Sequence, residues 1–315
     1  MSNAVFLPEG ALIHTDQNLK LLSTAEMLRY AMENEVIVEG LALMCDASHN
    51  LIVDMNGYTG IIPHKETALG IDDGQTREIA IISRVGKPVA CVICGINETD
   101  GKTTLLLSRR KAQKKARAAI FESLCPGDII PVTVTHLEPF GAFVDIGCGN
   151  ISLIGIESLS VSRISHTKDR FAQGDKIFAV VSGIDNENQR VFLSHRELLG
   201  TWEENAAKFE PGQTVRGIVR GIEDYGAFVE LAPNLSGLAE YCDGLNIGDT
   251  VSVFIKSIIP EKMKIKLIII DILGKSFKRY ITQDDYFLTG GHIDFWRYSP
   301  ESCRTKLLLS RFGEE

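Results

Sequence analysis

The chain has 315 residues, enough for two to four domains of ordinary size, and its net charge is −8. No apolar run approaches the roughly 20 residues of a membrane helix, and the first residues lack the basic and apolar regions of a secretory signal. The seven cysteines are scattered, which argues against a disulfide framework. We therefore expect a cytoplasmic, globular protein with reduced thiols and no membrane contact.

The charge is distributed unevenly along the chain. Residues 32–101 carry 4 basic and 11 acidic side chains, whereas residues 102–124 carry 7 basic and 1 acidic. An acidic chain is a poor candidate for binding nucleic acid by bulk electrostatics. The basic excess is instead a local patch, and we expect it to form a linker helix because "RRKAQKKARAAIFESL" is rich in Ala and Lys.

The chain repeats itself. "EPFGAFVDIG" at 138–147 recurs as "EDYGAFVELA" at 223–232, and "QGDKIFAVV" at 173–181 recurs as "IGDTVSVFI" at 247–255. The two copies are closer together in the second match than in the first, so the later copy has fewer residues between the two matching segments, which we assign to the region between its third and fourth strands. A length change at one point, with matching segments on both sides, is what a surface loop permits. A weaker first copy, "NLIVDMNGYTGIIP", begins at Asn50.

Each copy reads as short strands, since apolar and polar side chains alternate in "DKIFAVV" and "KIKLI". Five such segments in about 70 residues favour a small closed barrel, and the oligonucleotide-binding (OB) barrel has five strands. The predicted fold class is therefore all-β, with three five-stranded OB-fold barrels in tandem joined by short α-helices.

The domain prediction follows the repeats and the helix signals between them. Ser23 and Glu26 have capping-box spacing, as do Thr201 and Glu204. The predicted units are an N-terminal extension with a helix (1–33), a divergent first barrel (34–110), a basic linker helix (111–125), a second barrel (126–197), a linker helix (198–210), a third barrel (211–273) and a C-terminal extension (274–315).

Two aromatic side chains flank the Gly-Ala pair in both copies of the repeated stretch: Phe140 and Phe143, then Tyr225 and Phe228. A glycine within a strand marks a bulge or a close backbone approach, and we expect a bulge at Gly141 and Gly226 that turns both aromatics of a pair to one exposed side. Exposed aromatics on a small barrel are stacking surfaces for unpaired bases. The competing interpretation, that they plug the barrel ends, weakens because the pair is duplicated.

Cations on neighbouring strands are expected to contact RNA phosphate or sugar. The predicted cations are Lys176, Arg190, Arg216, Arg220, Lys264 and Lys266. Strand lysines that merely solvate an edge are the alternative. The loop "VSRISHTKDRF" adds Arg163, Lys168 and Arg170, and it is interpreted as facing RNA, a partner or solvent.

The stretches "PGDIIPVTVTHLEPFGAFVDIG" and "QGDKIFAVVSGIDNENQRVFLSHREL" closely resemble the S-one domain (letter S, numeral one), the RNA-binding OB repeat of the bacterial small-subunit ribosomal protein of that name. "PGQTVRGIVRGIEDYGAFVEL" resembles a second copy, and "GIIP" followed by "LLLSRRKAQ" is similar to divergent N-terminal repeats. The resemblance covers about residues 34–273 and implies a short form of that family. The same domain also occurs in ribonucleases and translation factors.

The resemblance implies that RNA is bound through two aromatics, a His, an Asp and an Arg. In the second unit the Asp is Asp185 and the Arg is Arg190, whereas in the third unit Lys264 stands for the Arg and Ile259 for the Asp. The His position holds Gly155 and Glu240, so that contact is missing from both. In the first unit, the two aromatic positions and the His position carry His49, Ile52 and Pro63.

The expected function is non-catalytic binding of single-stranded RNA, specifically mRNA, at the small ribosomal subunit during translation. The alternatives are an accessory subunit of an RNA-decay or transcription complex, and a protein-interaction scaffold. The first unit, acidic and without aromatics, is expected to dock protein or act as a spacer.

No enzyme, cofactor, small-molecule substrate or metal site is expected. The seven histidines show no metal-ligand spacing along the sequence and no pairing with an acid in a known motif.

Overall fold

Three closed five-stranded barrels form the protein, which confirms the predicted fold class. The structure is a computed structural model that describes residues 6–99, 101–275 and 281–313. In each barrel the first three strands form an antiparallel meander, the fifth strand pairs in parallel with the third, and the fourth closes the barrel against the first. This is the strand order of an OB fold.

The strands of the three barrels have the following bounds. Barrel 1 contains β1 (Ile37–Cys45), β2 (Leu51–Met55), β3 (Tyr58–Ile62), β4 (Pro88–Thr99) and β5 (Lys102–Ser108). Barrel 2 contains β6 (Ile129–Glu138), β7 (Gly141–Asp145), β8 (Ile151–Gly155), β9 (Lys176–Asp185) and β10 (Arg190–Ser194). Barrel 3 contains β11 (Thr214–Glu223), β12 (Gly226–Ala232), β13 (Leu235–Ala239), β14 (Asp249–Ile259) and β15 (Lys264–Lys275).

Alternation along the strands builds one core inside each barrel. In β2, Leu51, Val53 and Met55 are fully buried while the residues between them are partly exposed. In β15, Ile265 and Leu267 point inward and their lysine neighbours point outward. Apolar residues that alternate with polar ones in the sequence therefore face the inside of the closed sheet, and the polar ones face the outside.

Short helices lie between and beside the barrels. They are α1 (Asp16–Leu21), α2 (Ala25–Glu33), α3 (Glu78–Ile82), α4 (Arg109–Ser123) and α5 (Trp202–Ala206). The capping box at Thr201 and Glu204 is present. At α2, Thr24 caps the helix in place of the predicted Ser23, because its side chain accepts the hydrogen bond from the Met27 amide.

The basic α4 is paired with acidic barrel 1. Arg110 contacts Glu66 and Asp72 at 2.5 and 2.6 Å, and Lys111 lies 3.9 Å from Glu35. Part of the charge imbalance seen in the sequence is thus compensated within the molecule, at the start of α4.

The N-terminal segment ties barrels 1 and 2 together. The buried Glu9 carboxylate pairs with Arg84 of barrel 1 and with Arg109 at the start of α4. The Glu9 amide donates to Asp145 of barrel 2, and Glu39 of β1 accepts three amides from residues 10–13. Ion pairs and hydrogen bonds of this kind satisfy charges that would otherwise be costly to bury.

The C-terminal segment docks on barrels 2 and 3. Trp296 and Tyr298 join the core cluster of barrel 3, and Tyr286 packs edge-on against Phe178 of barrel 2. A small hairpin of β16 (Phe295–Arg297) and β17 (Leu309–Arg311) anchors it. The aromatic residues at this end of the sequence are therefore used within the chain.

The long loop between β8 and β9 joins barrels 2 and 3. Its Arg170 is buried and contacts Glu230 of β12 at 2.8 Å, and the Val161 amide donates to Asn234. The loop at the equivalent place in barrel 3, between β13 and β14, is shorter, which agrees with the predicted length change in a loop.

None of the helices in the described ranges is long and apolar enough to cross a membrane.

Candidate nucleic-acid interface

A hairpin places the aromatic pair at the edge of barrel 2. Phe140 lies in the turn between β6 and β7, and Phe143 lies on β7. A Cβ on Gly141 would lie 2.7 Å from the carbonyl oxygen of Ile154, so the neighbouring strand requires glycine there. Of the two explanations offered by the sequence for Gly141, close backbone approach is correct.

The predicted bulge at the two glycines is wrong in position. The register is regular from Gly141 to Phe143, and it shifts on the preceding strand, between Val134 and His136. The same shift occurs between Val219 and Gly221 in barrel 3. The exposed aromatic leaves the strand face because it lies in the turn, and a bulge at the glycine is not needed.

Both aromatic pairs adopt the same geometry. The ring centroids of Phe140 and Phe143 lie 6.1 Å apart at 88°, and those of Tyr225 and Phe228 lie 6.1 Å apart at 90°. Phe140 is 57% exposed and Tyr225 67%, while their partners are partly buried. An edge-to-face pair fixes the orientation of the exposed ring, which leaves its face free for stacking.

Each pair belongs to a row of side chains that crosses the outside of its barrel. In barrel 2, residues at matching register positions run across β6, β7, β8 and β10: His136, Phe143, Leu153 and Phe192. In barrel 3, the equivalent row is Gly221, Phe228, Leu238 and Lys266. We call these rows the platforms of barrels 2 and 3, each with its turn aromatic, Phe140 or Tyr225.

Three platform residues of barrel 2 were not predicted from the sequence: His136, Leu153 and Phe192. Phe192 is 49% exposed beside Leu153, and the His136 ring lies 6.3 Å from that of Phe143. Phe192 was detectable, because it alternates with the inward Val191 and Leu193. His136 gave no signal, since its place beside Phe143 depends on the register shift.

The platform cations stand on the last strand of each barrel. Arg190 lies two residues before Phe192, so both side chains face outward on the same side of β10. Lys264 and Lys266 hold the equivalent places on β15. All three cations are exposed, and they are the predicted cations that the structure brings to the aromatics.

Asp185 faces Arg190 across β9 and β10 and organises the turn between them. Its carboxylate accepts the amide and the side-chain NH of Asn188 at 2.9 and 2.8 Å. These hydrogen bonds lower the pKa of Asp185, so it stays ionised beside Arg190.

Two predicted cations lie away from the platforms. Lys176 pairs with Thr133 in the middle of β6 and lies beside Leu7 and Pro8 of the N-terminal segment. Arg216 precedes Gly221 by five strand residues, a separation of roughly 16 Å along β11. Both side chains are exposed, but the structure does not bring them to the aromatics.

Arg220, which was predicted to contact RNA, is instead paired with carboxylates, and Arg170, whose loop could have faced RNA, a partner or solvent, is buried against the next barrel. Arg220 binds Glu230 and lies 3.3 Å from Asp169, with its side chain 8% exposed. Arg170 binds the same Glu230 from barrel 2. Two arginines and a carboxylate are therefore committed to the contact between the barrels, because separating buried charges is strongly unfavourable.

A groove of about 610 Å³ lies along the platform of barrel 3. Tyr225, Phe228 and Leu238 line it on one side, and Arg163 of the barrel 2 loop lines it on another. Three further lysines reach it: Lys262, Lys264 and Lys306. The C-terminal segment therefore contributes to the candidate site, which the sequence did not predict.

Barrel 1 has the same row with aliphatic side chains. Met44, Ile52, Ile61 and Leu106 occupy the register positions of this row, so Ile52 stands where Phe143 and Phe228 stand in the other barrels. His49 precedes Ile52 by three residues, as Phe140 precedes Phe143. The described strands of barrel 1 therefore form no stacking platform, and a protein-docking or spacer role for this barrel stays a prediction.

Residues 124–196 match the family described as S1 RNA binding domain. The matched residues include all five strands of barrel 2. The chain is also similar to small ribosomal subunit protein bS1: it is 30% identical to that of Leuconostoc lactis over 234 residues and 27% identical to that of Staphylococcus haemolyticus over 289 residues.

The matches span 69% and 84% of this chain, and 52% and 69% of the two relatives. The chain thus covers about half the length of the Leuconostoc protein. A 4-hydroxy-3-methylbut-2-enyl diphosphate reductase of Clostridium acetobutylicum is 27% identical over 261 residues, which are 78% of this chain and 39% of that protein.

Proposed function

We propose that barrels 2 and 3 bind single-stranded RNA by stacking unpaired bases on their platforms, without catalysis. The observation that carries the proposal is the duplicated aromatic pair, with centroids 6.1 Å apart in both barrels and an exposed cation on the adjacent last strand. Such a site recognises base faces and a nearby phosphate, which are available together only in an unpaired strand.

Stacking explains how a protein with an acidic net charge can bind RNA. Each stacked base contributes about 1–3 kcal/mol, whereas bulk electrostatic attraction requires a basic surface. Arg190 and Lys264 supply local positive charge where the backbone would pass. Because barrels 2 and 3 are fixed to each other through Arg170 and Glu230, one RNA strand that reaches both platforms gains affinity from the second contact.

The biological setting we propose is mRNA binding at the small ribosomal subunit in the cytoplasm. The support is the similarity to bS1 proteins and the S1 domain of barrel 2. No feature of the described platforms favours a role in RNA decay or transcription over this one.

The test is fluorescence anisotropy with a labelled oligo-U strand. Phe140→Ala with Phe143→Ala removes the barrel 2 pair, and Tyr225→Ala with Phe228→Ala removes the barrel 3 pair. We expect each double variant to bind at least about fivefold more weakly, because one or more stacked bases at about 1–3 kcal/mol each are lost, and the quadruple variant to lose measurable binding.

Tyr30→Ala is the matched control, because Tyr30 is an exposed aromatic on α2, outside the barrels. Its affinity should equal that of the unaltered protein. If the quadruple variant binds oligo-U normally, the stacking proposal fails. Co-sedimentation with small subunits tests the setting separately: ribosome association without RNA affinity would indicate a protein scaffold instead.

A further inference from the structure

Three side chains far apart in the sequence converge at the edge of barrel 1. His49 lies in the turn between β1 and β2, His64 in the 3₁₀ turn after β3, and Glu78 at the start of α3. The His49 Nδ1 atom is 3.0 Å from Glu78 Oε2, and His64 Nε2 is 2.9 Å from Glu78 Oε1. All three ligand-type atoms lie within 4.8 Å of one another.

The surrounding turn holds the two imidazoles in place. The Asp46 carboxylate accepts the Ser48 and Asn50 amides, and the Asn50 side chain binds Asp46 and in turn accepts the His64 amide. His49 has a φ of 60°, a left-handed conformation that is uncommon for a non-glycine residue and that depends on this turn. The structure therefore fixes both backbones that carry the histidines.

We propose that His49, His64 and Glu78 bind a divalent transition-metal ion, with Zn²⁺ the best match. Two imidazole nitrogens and one carboxylate oxygen suit Zn²⁺, which takes such ligands at about 2.0–2.2 Å and needs no particular d-electron geometry. Two ligands of a tetrahedral ion lie about 3.3–3.5 Å apart. The two His–carboxylate contacts need to open by only a few tenths of an ångström, and the two imidazole nitrogens, which lie within 4.8 Å of each other, need to reach the same separation.

The site leaves room for water on the ion. The side chains of His49, His64 and Glu78 are 41%, 32% and 47% exposed, so three protein ligands leave a coordination position open to solvent. A three-ligand site with an open position differs from a closed structural zinc site, which takes four protein ligands.

The position within the barrel also distinguishes this group. His49 stands where Phe140 and Tyr225 stand in the other barrels, three residues before the row position on the second strand. Barrel 1 thus carries metal-type ligands at the edge where barrels 2 and 3 carry stacking aromatics. Tying three separate segments to one ion would stiffen this edge of barrel 1.

The test is isothermal titration of the full chain with Zn²⁺ under reducing conditions. We expect one ion per chain, and binding weakened by more than about tenfold in His49→Asn, His64→Gln and Glu78→Gln. Asn is chosen at position 49 because it tolerates the left-handed conformation. Zn²⁺ should also raise the melting temperature of the unaltered chain and not that of the variants, since a ligand stabilises the state that binds it.

The matched control is His136→Gln, because His136 and Glu138 form an exposed His–carboxylate pair at 2.7 Å with no third ligand among the described residues. It should bind Zn²⁺ normally. Titration with Co²⁺ excludes a cysteine site, since thiolate ligands would add a sulfur-to-cobalt charge-transfer band. No stoichiometric binding, or binding unchanged in all three ligand variants, overturns the proposal and leaves a hydrogen-bonded cluster.

Discussion

At the scale of single residues, burial separates side chains that look alike in the sequence. Arg190 and Arg220 were both predicted to contact RNA, yet one is exposed beside the platform and the other is held by carboxylates. The histidines divide in the same way: His136 lies on the platform surface, whereas His195 is fully buried behind it.

His195 makes the stability of barrel 2 depend on pH. Its Nδ1 atom contacts the Leu159 carbonyl oxygen at 3.0 Å and its Nε2 atom the Tyr286 hydroxyl at 2.9 Å. Burial lowers the pKa of His195 to about 4. Below its ordinary pKa of about 6.5 the unfolded chain therefore binds a proton that the folded chain does not.

We expect the free energy of unfolding to fall by about 2 kcal/mol through this group between pH 7 and pH 5. The contribution is complete above about pH 6.5 and is lost as the pH falls toward 4. Urea unfolding at both pH values measures it, and His195→Asn should show a smaller difference.

The His195→Asn variant is needed as a comparison because His292 changes the free energy of unfolding with pH in the opposite direction. A hydrogen bond to Asp128 raises the pKa of His292, so its contribution is complete below about pH 6.5 and is lost as the pH rises. An equal pH dependence in the variant and the unaltered protein would show that His195 does not carry the effect.

At the scale of elements, the length of the segment between β8 and β9 predicts that it is a loop but does not predict which residues the loop contacts. The difference in spacing between the second and third units correctly indicated a loop. Its polar composition favoured an exposed loop, but Arg170 and Val161 anchor it to barrel 3. The decisive partner, Glu230, lies 60 residues away.

We predict that Arg170→Ala lowers the free energy of unfolding by about 3–5 kcal/mol, because Glu230 would be left as a buried charge with one partner fewer. Urea denaturation measures this. Arg163→Ala in the same loop is the control: Arg163 is 87% exposed and 3.9 Å from Glu223, so its effect should stay within about 0.5 kcal/mol. Equal effects of the two substitutions would refute a structural role for Arg170.

At the scale of the whole molecule, the N- and C-terminal segments pack against the barrels. Glu9 bridges barrels 1 and 2, and Trp296 and Tyr298 enter the core of barrel 3. The basic α4 is paired with acidic barrel 1. Among the described residues, the exposed cations near the candidate site are consequently few.

This distribution predicts a weak salt dependence of RNA binding. In the described part of the chain, six exposed cations stand on the last platform strands or line the groove: Arg163, Arg190, Lys262, Lys264, Lys266 and Lys306. Neutralising six phosphates of a single strand gives a slope of log K against log salt of about −4. Oligo-U titrations at increasing salt should therefore give a slope no steeper than about −4; a steeper one would show that a different, strongly basic surface binds the RNA.

The sequence by itself determined the barrels and the aromatic pairs. Alternation of apolar residues specifies which side of a strand faces inward, and the repeat shows that three stretches share one strand order. Both properties are local, so no knowledge of distant contacts is required. The pair at Phe140 and Phe143 could be predicted for that reason.

Contacts between charged and titratable groups could be identified only from the tertiary structure. Phe192 reaches the platform through pairing of β10 with β8, and Arg220 is paired with Glu230. His49 meets His64 and Glu78 because the fold brings three separate segments to one edge of barrel 1. The physical reason is that burial and charge pairing depend on contacts between residues far apart in the chain. Spacing along the sequence therefore does not reveal them.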